Sequence, residues 1–236
     1  MENIYKNRNV SLLFILFFFL AIYGFFRTYF SLFPAFDEGI NGLTHLHGIS
    51  VTLWMIVLII QPLLIRFQQH KLHRLIGKLS YAYLPILGIV MILMIRQGYL
   101  KGVGKMPQAD LLAFQFVPIS AFFGFVWSYV MAIRHRTHRQ THKSYMIIHA
   151  LVLLWAAFGR LDYRWLGVQT FEQSIAVSYL PSAFLLLLIF LYEWVQQQKI
   201  NRVYLISIGL FLATPCFYYF GTKGVIWQAI ARVVFG

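Results

Sequence analysis

The chain has 236 residues, of which 60% are hydrophobic, 18% aromatic and only 11% charged. An ordinary soluble domain carries about a quarter charged residues, so this composition excludes one and indicates an integral membrane protein. The formal net charge of +13 would suit a nucleic-acid partner. The Lys and Arg residues lie in short joints between apolar runs, however, so we expect them to contact membrane lipid and set topology, with no nucleic acid bound.

Apolar runs long enough to cross a bilayer as helices recur along the whole chain. The first, from Val10 to Phe26, follows Lys6 and Arg8, and no small-residue cleavage motif ends it, so we expect an uncleaved span. The predicted spans are about 10–33, 43–65, 76–95, 111–133, 142–158, 179–195 and 203–220. The sequence therefore predicts an all-α fold, a polytopic bundle of seven transmembrane helices in one domain, residues 1–236.

Two further segments, about 161–178 and 221–236, are predicted to lie along the membrane surface. In the second, Gln228 and Arg232 lie opposite an apolar side of the predicted helix. The apolar positions are Val225, Ile226, Ala229, Ile230 and Val233. Both segments are interpreted as interfacial anchors.

The distribution of charge predicts the orientation of the spans. Most of the Lys and Arg residues lie at the N-terminus and in the joints after the second, fourth and sixth spans, whereas most of the Asp and Glu residues lie in the opposite joints. Basic joints stay on the cytoplasmic side. We therefore expect a multi-pass protein of the cell (inner) membrane with its N-terminus in the cytoplasm and its C-terminus outside.

Proline lies within or near five of the predicted spans and tends to kink a helix. These prolines are Pro62, Pro85, Pro118, Pro181 and Pro215. Kinks favour a bundle with an internal cavity, but proline is also common in ordinary membrane helices, so both interpretations stay open at this point.

Histidines and other polar residues form one stripe on the second span and another on the fifth. At about 100° per residue, the first stripe has His47, Ser50, Trp54, Leu58 and Gln61 on one side, and the second has His142, Met146, His149, Leu153, Ala156 and Arg160. Ionisable groups within a membrane usually face a protein interior. We therefore predict that the two stripes face each other, with His47, Trp54, Gln61 and Arg160 lining a polar interior.

The order and spacing of these residues resemble a known family. The pattern is His-x-His-Gly at 45–48, Trp54, Gln61, then His73-Arg74-x-x-Gly77, followed by His142-x-x-x-Met146 and by Arg160. It is similar to bacterial multi-pass membrane proteins of unknown function. The resemblance implies a helical membrane fold and no particular activity. A more distant similarity to bundles of the b-type cytochrome kind is weak.

The leading functional hypothesis is a membrane redox component. Imidazole is a haem ligand, so His73 or His142, together with His149, would bind haem b, or the polar stripe would bind a quinone. Histidines at helix ends also serve as plain anchors, which is the alternative for His73 and Arg74. A small apolar ligand is expected in either redox version.

A metal-dependent membrane enzyme is a second hypothesis. His45 and His47 would bind zinc with Asp37 or Glu38 of the preceding loop, leaving a position for water. Side chains two residues apart on a helix point in nearly opposite directions. The pair can therefore bind one metal ion only if the helix begins after His47.

A proton-coupled transporter or sensor, using the His and Arg stripe as a path, is a third hypothesis, and a structural membrane protein is a fourth. The sequence leaves enzymatic activity and protein partners open.

Overall fold

The computed structural model describes residues 2–34 and 40–235, and every regular element within these ranges is a helix. The α-helices are α1 (Glu2–Phe26), α2 (Gly42–Arg66), α3 (His70–Gly102), α4 (Gln108–Arg134), α5 (Arg139–Phe158), α6 (Phe171–Ser178), α7 (Leu180–Gln197), α8 (Arg202–Gly221) and α9 (Val225–Phe235). Single 3-10 turns occupy Phe30–Leu32 and Arg164–Leu166. The all-α prediction is confirmed.

Five stretches of the described chain are long and apolar enough to cross a membrane. They are Gly42–Arg66, His70–Gly102, Gln108–Arg134, Gln173–Gln197 and Arg202–Gly221. The predicted first span is shorter than expected, because α1 ends at Phe26 rather than near residue 33. The predicted fifth span, α5, is 20 residues long, but polar residues such as Arg139 and Lys143 lower the hydropathy of its first half. The number seven and the orientation stay predictions.

The chain divides into two compact units, Met1–Met94 and Ile95–Gly236. We call them the N-terminal and C-terminal units, and α3 begins in the first and ends in the second. The interpretation of the chain as one membrane domain stays a prediction.

In the N-terminal unit, α1 and α2 pack against each other, and Phe14 and Phe17 of α1 are buried. The start of α2 is fixed by Asn41, whose side-chain oxygen accepts a hydrogen bond from the backbone N–H of Thr44. This is the usual role of asparagine as an N-cap residue, where it satisfies one of the free N–H groups of the first turn.

In the C-terminal unit, α4 contacts α5, α8 and α9. The tail helix α9 is held on α4 by two bonds to the backbone: Trp227 Nε1 donates to the carbonyl of Leu112, and Gln228 Nε2 donates to that of Ala109. Gln228, predicted to lie opposite the apolar positions, is buried against the first turn of α4. That the tail is an interfacial anchor stays a prediction. The predicted apolar stripe faces outward, with Val225 and Val233 more than four-fifths exposed.

A buried ionic cluster joins α5, α7 and α8. The Glu193 carboxylate accepts hydrogen bonds from Lys143 at 2.5 Å, from Gln140 at 2.5 Å and from the hydroxyl of Tyr204 at 3.2 Å. Lys143 and Glu193 keep only 19% and 10% of their side-chain surface exposed. A carboxylate in such surroundings is stable only while its partners are present, so the cluster fixes where the three helices meet.

Removing one partner from this cluster should therefore destabilise the protein. We expect Lys143→Met to lower the free energy of unfolding by about 3 kcal/mol, since it leaves Glu193 buried without a cation. The measurement is the unfolding of purified protein in mixed detergent with increasing dodecyl sulfate, followed by circular dichroism.

The matched control is Arg164→Met, which breaks the exposed pair between Arg164 and Asp162. Exposed pairs contribute little, so this variant should unfold like the parent. Equal behaviour of the two variants would contradict a stabilising role for the buried cluster.

Candidate functional site

The predicted stripe of α2 contacts α3 within the N-terminal unit. Trp54 is 2% exposed and stacks on the ring of Tyr83, with 6.1 Å between the ring centroids. The Tyr83 hydroxyl donates to the backbone carbonyl of Ser50 at 2.7 Å. Tyr83 was not among the predicted site residues, yet it links α3 to α2 through the Trp54 ring and the Ser50 carbonyl.

Gln61 and His73 meet near the joint between α2 and α3. The side-chain amide of Gln61 donates to the backbone carbonyl of His73 at 3.4 Å. The Gln61 Oε1 atom is buried and has no hydrogen-bond partner among the described residues. The main chain of His73 therefore takes part in the packing of the helix ends. Its predicted role as a haem ligand stays a prediction.

The two stripes belong to different units, since α2 lies in the N-terminal unit and α5 in the C-terminal unit. That they face each other across a polar interior, with His47 among the lining residues, stays a prediction.

The condition for a metal site at His45 and His47 is not met. The helix α2 begins at Gly42, before both residues, so their side chains leave it in nearly opposite directions. His45 Nδ1 shares a hydrogen bond of 2.7 Å with the hydroxyl of Tyr29. Residues 2–34 and 40–235 contain no group of three His, Cys, Asp or Glu side chains placed to hold a metal ion. Asp37 and Glu38 lie outside the described residues.

The two histidines of α5 bind the backbone of α4. His142 Nδ1 lies 2.8 Å from the carbonyl of Ala132, and His149 Nδ1 lies 3.0 Å from that of Phe125. A carbonyl can only accept, so Nδ1 is the protonated nitrogen of each ring. Ser128 completes the second contact, since its Oγ is 3.1 Å from His149 Nδ1 and donates to the same carbonyl of Phe125.

This geometry bears on the haem hypothesis. His149 is fully buried, and its ring lies against Phe125 with 4.3 Å between the centroids. His142 and His149 are two helical turns apart on one helix, a rise of about 10 Å. Both rings bond through Nδ1 to α4, which leaves Nε2 as the only nitrogen that could bind an iron. Their pairing on one haem stays a prediction, as does the pairing of His149 with His73.

Arg160 follows the end of α5 and folds back on it. Its Nη1 atom donates to the carbonyl of Ala156 at 2.5 Å, and the side chain is exposed. A cation at a helix C-terminus satisfies carbonyls that have no partner in the helix. The structure thus shows Arg160 capping the C-terminus of α5. Its predicted place in a polar interior stays a prediction.

The segment after α5 is anchored by Tyr163, whose hydroxyl donates to the carbonyl of Phe158 at 2.8 Å. Burial raises the pKa of Tyr163 to about 12, so this phenol stays protonated and keeps donating at neutral pH. The hydrogen bond of Tyr163 fixes the start of the segment that continues through α6 to Tyr179.

A cavity of about 460 Å³ lies within the C-terminal unit, among α4, α5, α8 and Tyr179. Its walls are mainly aromatic and aliphatic, and include Phe123, Trp127, Trp155 and Phe211. Gly124 leaves room on the α4 side, because it carries no side chain. Sequence patterns did not predict this site, because it is formed by packing among separate stretches of the chain.

Four hydroxyl groups line the cavity. The Oγ of Ser120 donates to the carbonyl of Val117 and lies 3.4 Å from the hydroxyl of Tyr179. The Thr214 hydroxyl donates to the carbonyl of Leu210 in its own helix. Ser207 is 2% exposed, and its shielded Oγ has no hydrogen-bond partner within the part of the chain that the structure describes. Isolated hydroxyl residues in apolar spans are the signal by which a sequence could have indicated the site.

The cavity is open on one side. Phe123 of α4 and Leu210 of α8 line it and are nevertheless 65% and 51% exposed. Both residues lie in helices that are apolar enough to cross a membrane. The opening therefore faces the medium around those helices. A ligand can therefore reach the cavity from the side of the bundle.

Comparison of the chain with protein-family models, with curated proteins and with solved structures finds no match. The resemblance to bacterial multi-pass membrane proteins accordingly stays a prediction that rests on the motifs alone.

The contacts of His149 predict a structural contribution. We expect His149→Ala to lower the free energy of unfolding by about 3 kcal/mol, because it leaves a void and removes the bond to the Phe125 carbonyl. Ser128→Ala should cost about 1 kcal/mol. The control, His138→Ala, changes an exposed histidine at the start of α5 and should have little effect. A His149→Ala protein as stable as the control would show that the two bonds to α4 contribute nothing.

Proposed function

We propose that the chain is a seven-span protein of the cell (inner) membrane, with a cytoplasmic N-terminus and an outer C-terminus, that works as a redox component by binding a quinone in the cavity of the C-terminal unit. The observation that carries the proposal is the cavity itself, an apolar space of about 460 Å³ with a few hydroxyl groups. Sites for small molecules typically combine apolar walls with a small number of well-placed polar groups in a volume of about 300–1,000 Å³.

The chemistry of a quinone suits these walls. Its ring is flat and apolar, so it stacks favourably on aromatic side chains such as Trp127 and Trp155. Its oxygens accept hydrogen bonds, and hydroxyl groups can donate them. Quinones dissolve in the bilayer, and the opening beside Phe123 and Leu210 suits entry from lipid.

The quinone version of the redox hypothesis is favoured over the haem version by the environment of His149. Its ring is packed against α4, whereas the cavity on the neighbouring face of α5 has room for a ligand. A reduced-minus-oxidised absorption spectrum of the purified protein, expressed with haem supplied, tests the haem version directly. We expect no haem band.

Binding of a quinone can be followed with the protein's own tryptophans. Trp127 and Trp155 line the cavity, so 1,4-naphthoquinone bound there should quench their fluorescence in a saturable way. We expect Ala121→Phe, which adds a ring to the cavity wall, to weaken this binding at least 10-fold, since the added side chain occupies the space of the ligand.

The control is Ala213→Phe, an equal change at an exposed position of α8 outside the cavity wall. It should bind like the parent protein. Quenching that does not saturate, or that both variants leave unchanged, would overturn the proposed site.

The orientation can be tested with single cysteines, because Cys216 is the only cysteine of the chain. On a Cys216→Ser background, a membrane-impermeant maleimide should label Lys223→Cys in intact cells and Lys199→Cys only after permeabilisation. Both lysines are exposed, and they flank α8. The reverse pattern would contradict a C-terminus on the outer side.

A further inference from the structure

The hydroxyl groups of the cavity wall already donate their protons within the protein. Ser120 and Thr214 donate to the carbonyls of Val117 and Leu210, each in its own helix. The Tyr179 hydroxyl lies 3.4 Å from Ser120 Oγ and has this oxygen as its acceptor, because the Ser120 proton is bonded to Val117. An oxygen of a ligand gains one of these protons only by displacing an existing acceptor, so the net gain in free energy is small.

The remaining polar groups of the wall offer a ligand little more. The indole N–H of Trp155 donates to Ser178 Oγ at 3.0 Å, and the Oγ atom of Ser207 is shielded from the cavity. Among the described residues of the wall, Trp127 carries an indole N–H that can serve at most one oxygen of a ligand. Recognition in this cavity therefore depends mainly on apolar contact and on fit.

The cavity is larger than the ring of a quinone. An apolar cavity of about 150 Å³ holds one benzene molecule, so the cavity of about 460 Å³ has room for about three groups of that size. The two fused rings of a naphthoquinone amount to two such groups. Bound alone, they would leave about a third of the space empty, and atoms that line a void lose dispersion contacts.

The opening of the cavity suits an aliphatic chain. Phe123 and Leu210 lie beside it, and one turn before Leu210 on α8, Ile206 is also 60% exposed. An aliphatic chain can cross such an opening without burying an unpaired polar group, whereas a polar substituent would find no partner there. A chain attached to the ring would fill the remaining space and continue outward along apolar side chains.

We propose that the ligand is a quinone with an aliphatic chain, and that the cavity holds the ring together with the first five-carbon unit of that chain. Further units lie outside the cavity and contribute little to binding. This inference rests on the proposed function and adds the part of the ligand that the cavity selects. Phospholipid acyl chains share this chemistry, so a competition between the two is part of the test.

Three quinones with the same ring test the proposal. Purified protein in detergent is titrated with 1,4-naphthoquinone, with its 2-prenyl derivative and with its 2-geranylgeranyl derivative, whose chains have one and four five-carbon units. Tryptophan quenching gives each affinity, expressed per mole of detergent because the compounds partition into micelles. We expect the first unit to tighten binding at least about 5-fold, since it fills the void, and the further units to add less than about 2-fold.

Gly124 provides the variants that reduce the empty space. It lines the cavity together with Val152, and a Cβ at Gly124 would lie 3.5 Å from this valine, an ordinary contact. Gly124→Ala and Gly124→Val add one and three carbons to the wall. They should progressively remove the gain from the first chain unit, while 1,4-naphthoquinone binds within about 2-fold of its affinity for the parent.

The matched control is Gly209→Val on α8. Gly209 is exposed outside the cavity wall, and nothing lies within 4 Å of a Cβ built there. This variant should bind all three quinones like the parent protein. Thermal unfolding of every variant identifies any that fails to fold, and Gly124→Ala, the smaller change, then carries the test in place of Gly124→Val.

The outcomes separate the two proposals. If the parent protein binds none of the three quinones in a saturable way, the proposed function fails. If it binds all three with equal affinity, or if affinity rises equally with every chain unit, the proposed function stands and the site for the first unit is overturned. Displacement of the prenyl quinone by dioleoylphosphatidylcholine at equal mole fraction would assign the space to an acyl chain and also overturn that site.

Discussion

The C-terminal unit depends on hydrogen bonds from side chains to the backbone carbonyls of α4. Imidazoles of α5 donate to Ala132 and Phe125, while the indole and the amide of α9 donate to Leu112 and Ala109. In an apolar medium such bonds compete with no water, so each holds a helix at one depth and rotation. The contacts run along the whole length of α4, and they leave its remaining side to form the cavity wall.

The same arrangement explains why the histidines and the cavity lie on neighbouring faces. His149 fixes α5 against α4 from within, and Ile148, one residue earlier, lines the cavity. The position of the cavity wall is thus set by polar contacts that take no part in binding. At the far side, the Glu193 cluster fixes α8 relative to α5 and α7, and α8 carries Ser207.

Much of the fold follows from hydropathy, because a helix in lipid must be both apolar and about twenty residues long. That rule predicted α2, α4, α7 and α8 closely, whereas α3 begins at His70 and ends at Gly102, several residues beyond the predicted span at each end. It was less accurate for α1, which ends at Phe26 instead of continuing to residue 33. It also missed that polar residues of α5, His142 and His149, serve contacts with α4. The site was harder to predict. Their imidazole chemistry suggested that His142 and His149 are ligands of a cofactor, whereas in the structure both bond to backbone carbonyls. Every residue has a backbone carbonyl, so no sequence pattern indicates these partners. The cavity exists only once packing brings α4, α5, α8 and Tyr179 together.

The contact between α9 and α4 also constrains how the protein is made. Trp227 and Leu112 are separated by 115 residues, so the ribosome completes α9 long after α4 has been synthesised. Until then, the first turn of α4 must be inserted without the side chains that later bond to its carbonyls. A nascent chain that still lacks α9 therefore leaves Tyr99, Leu111 and Leu112 without the cover that Ala231 and Trp227 provide.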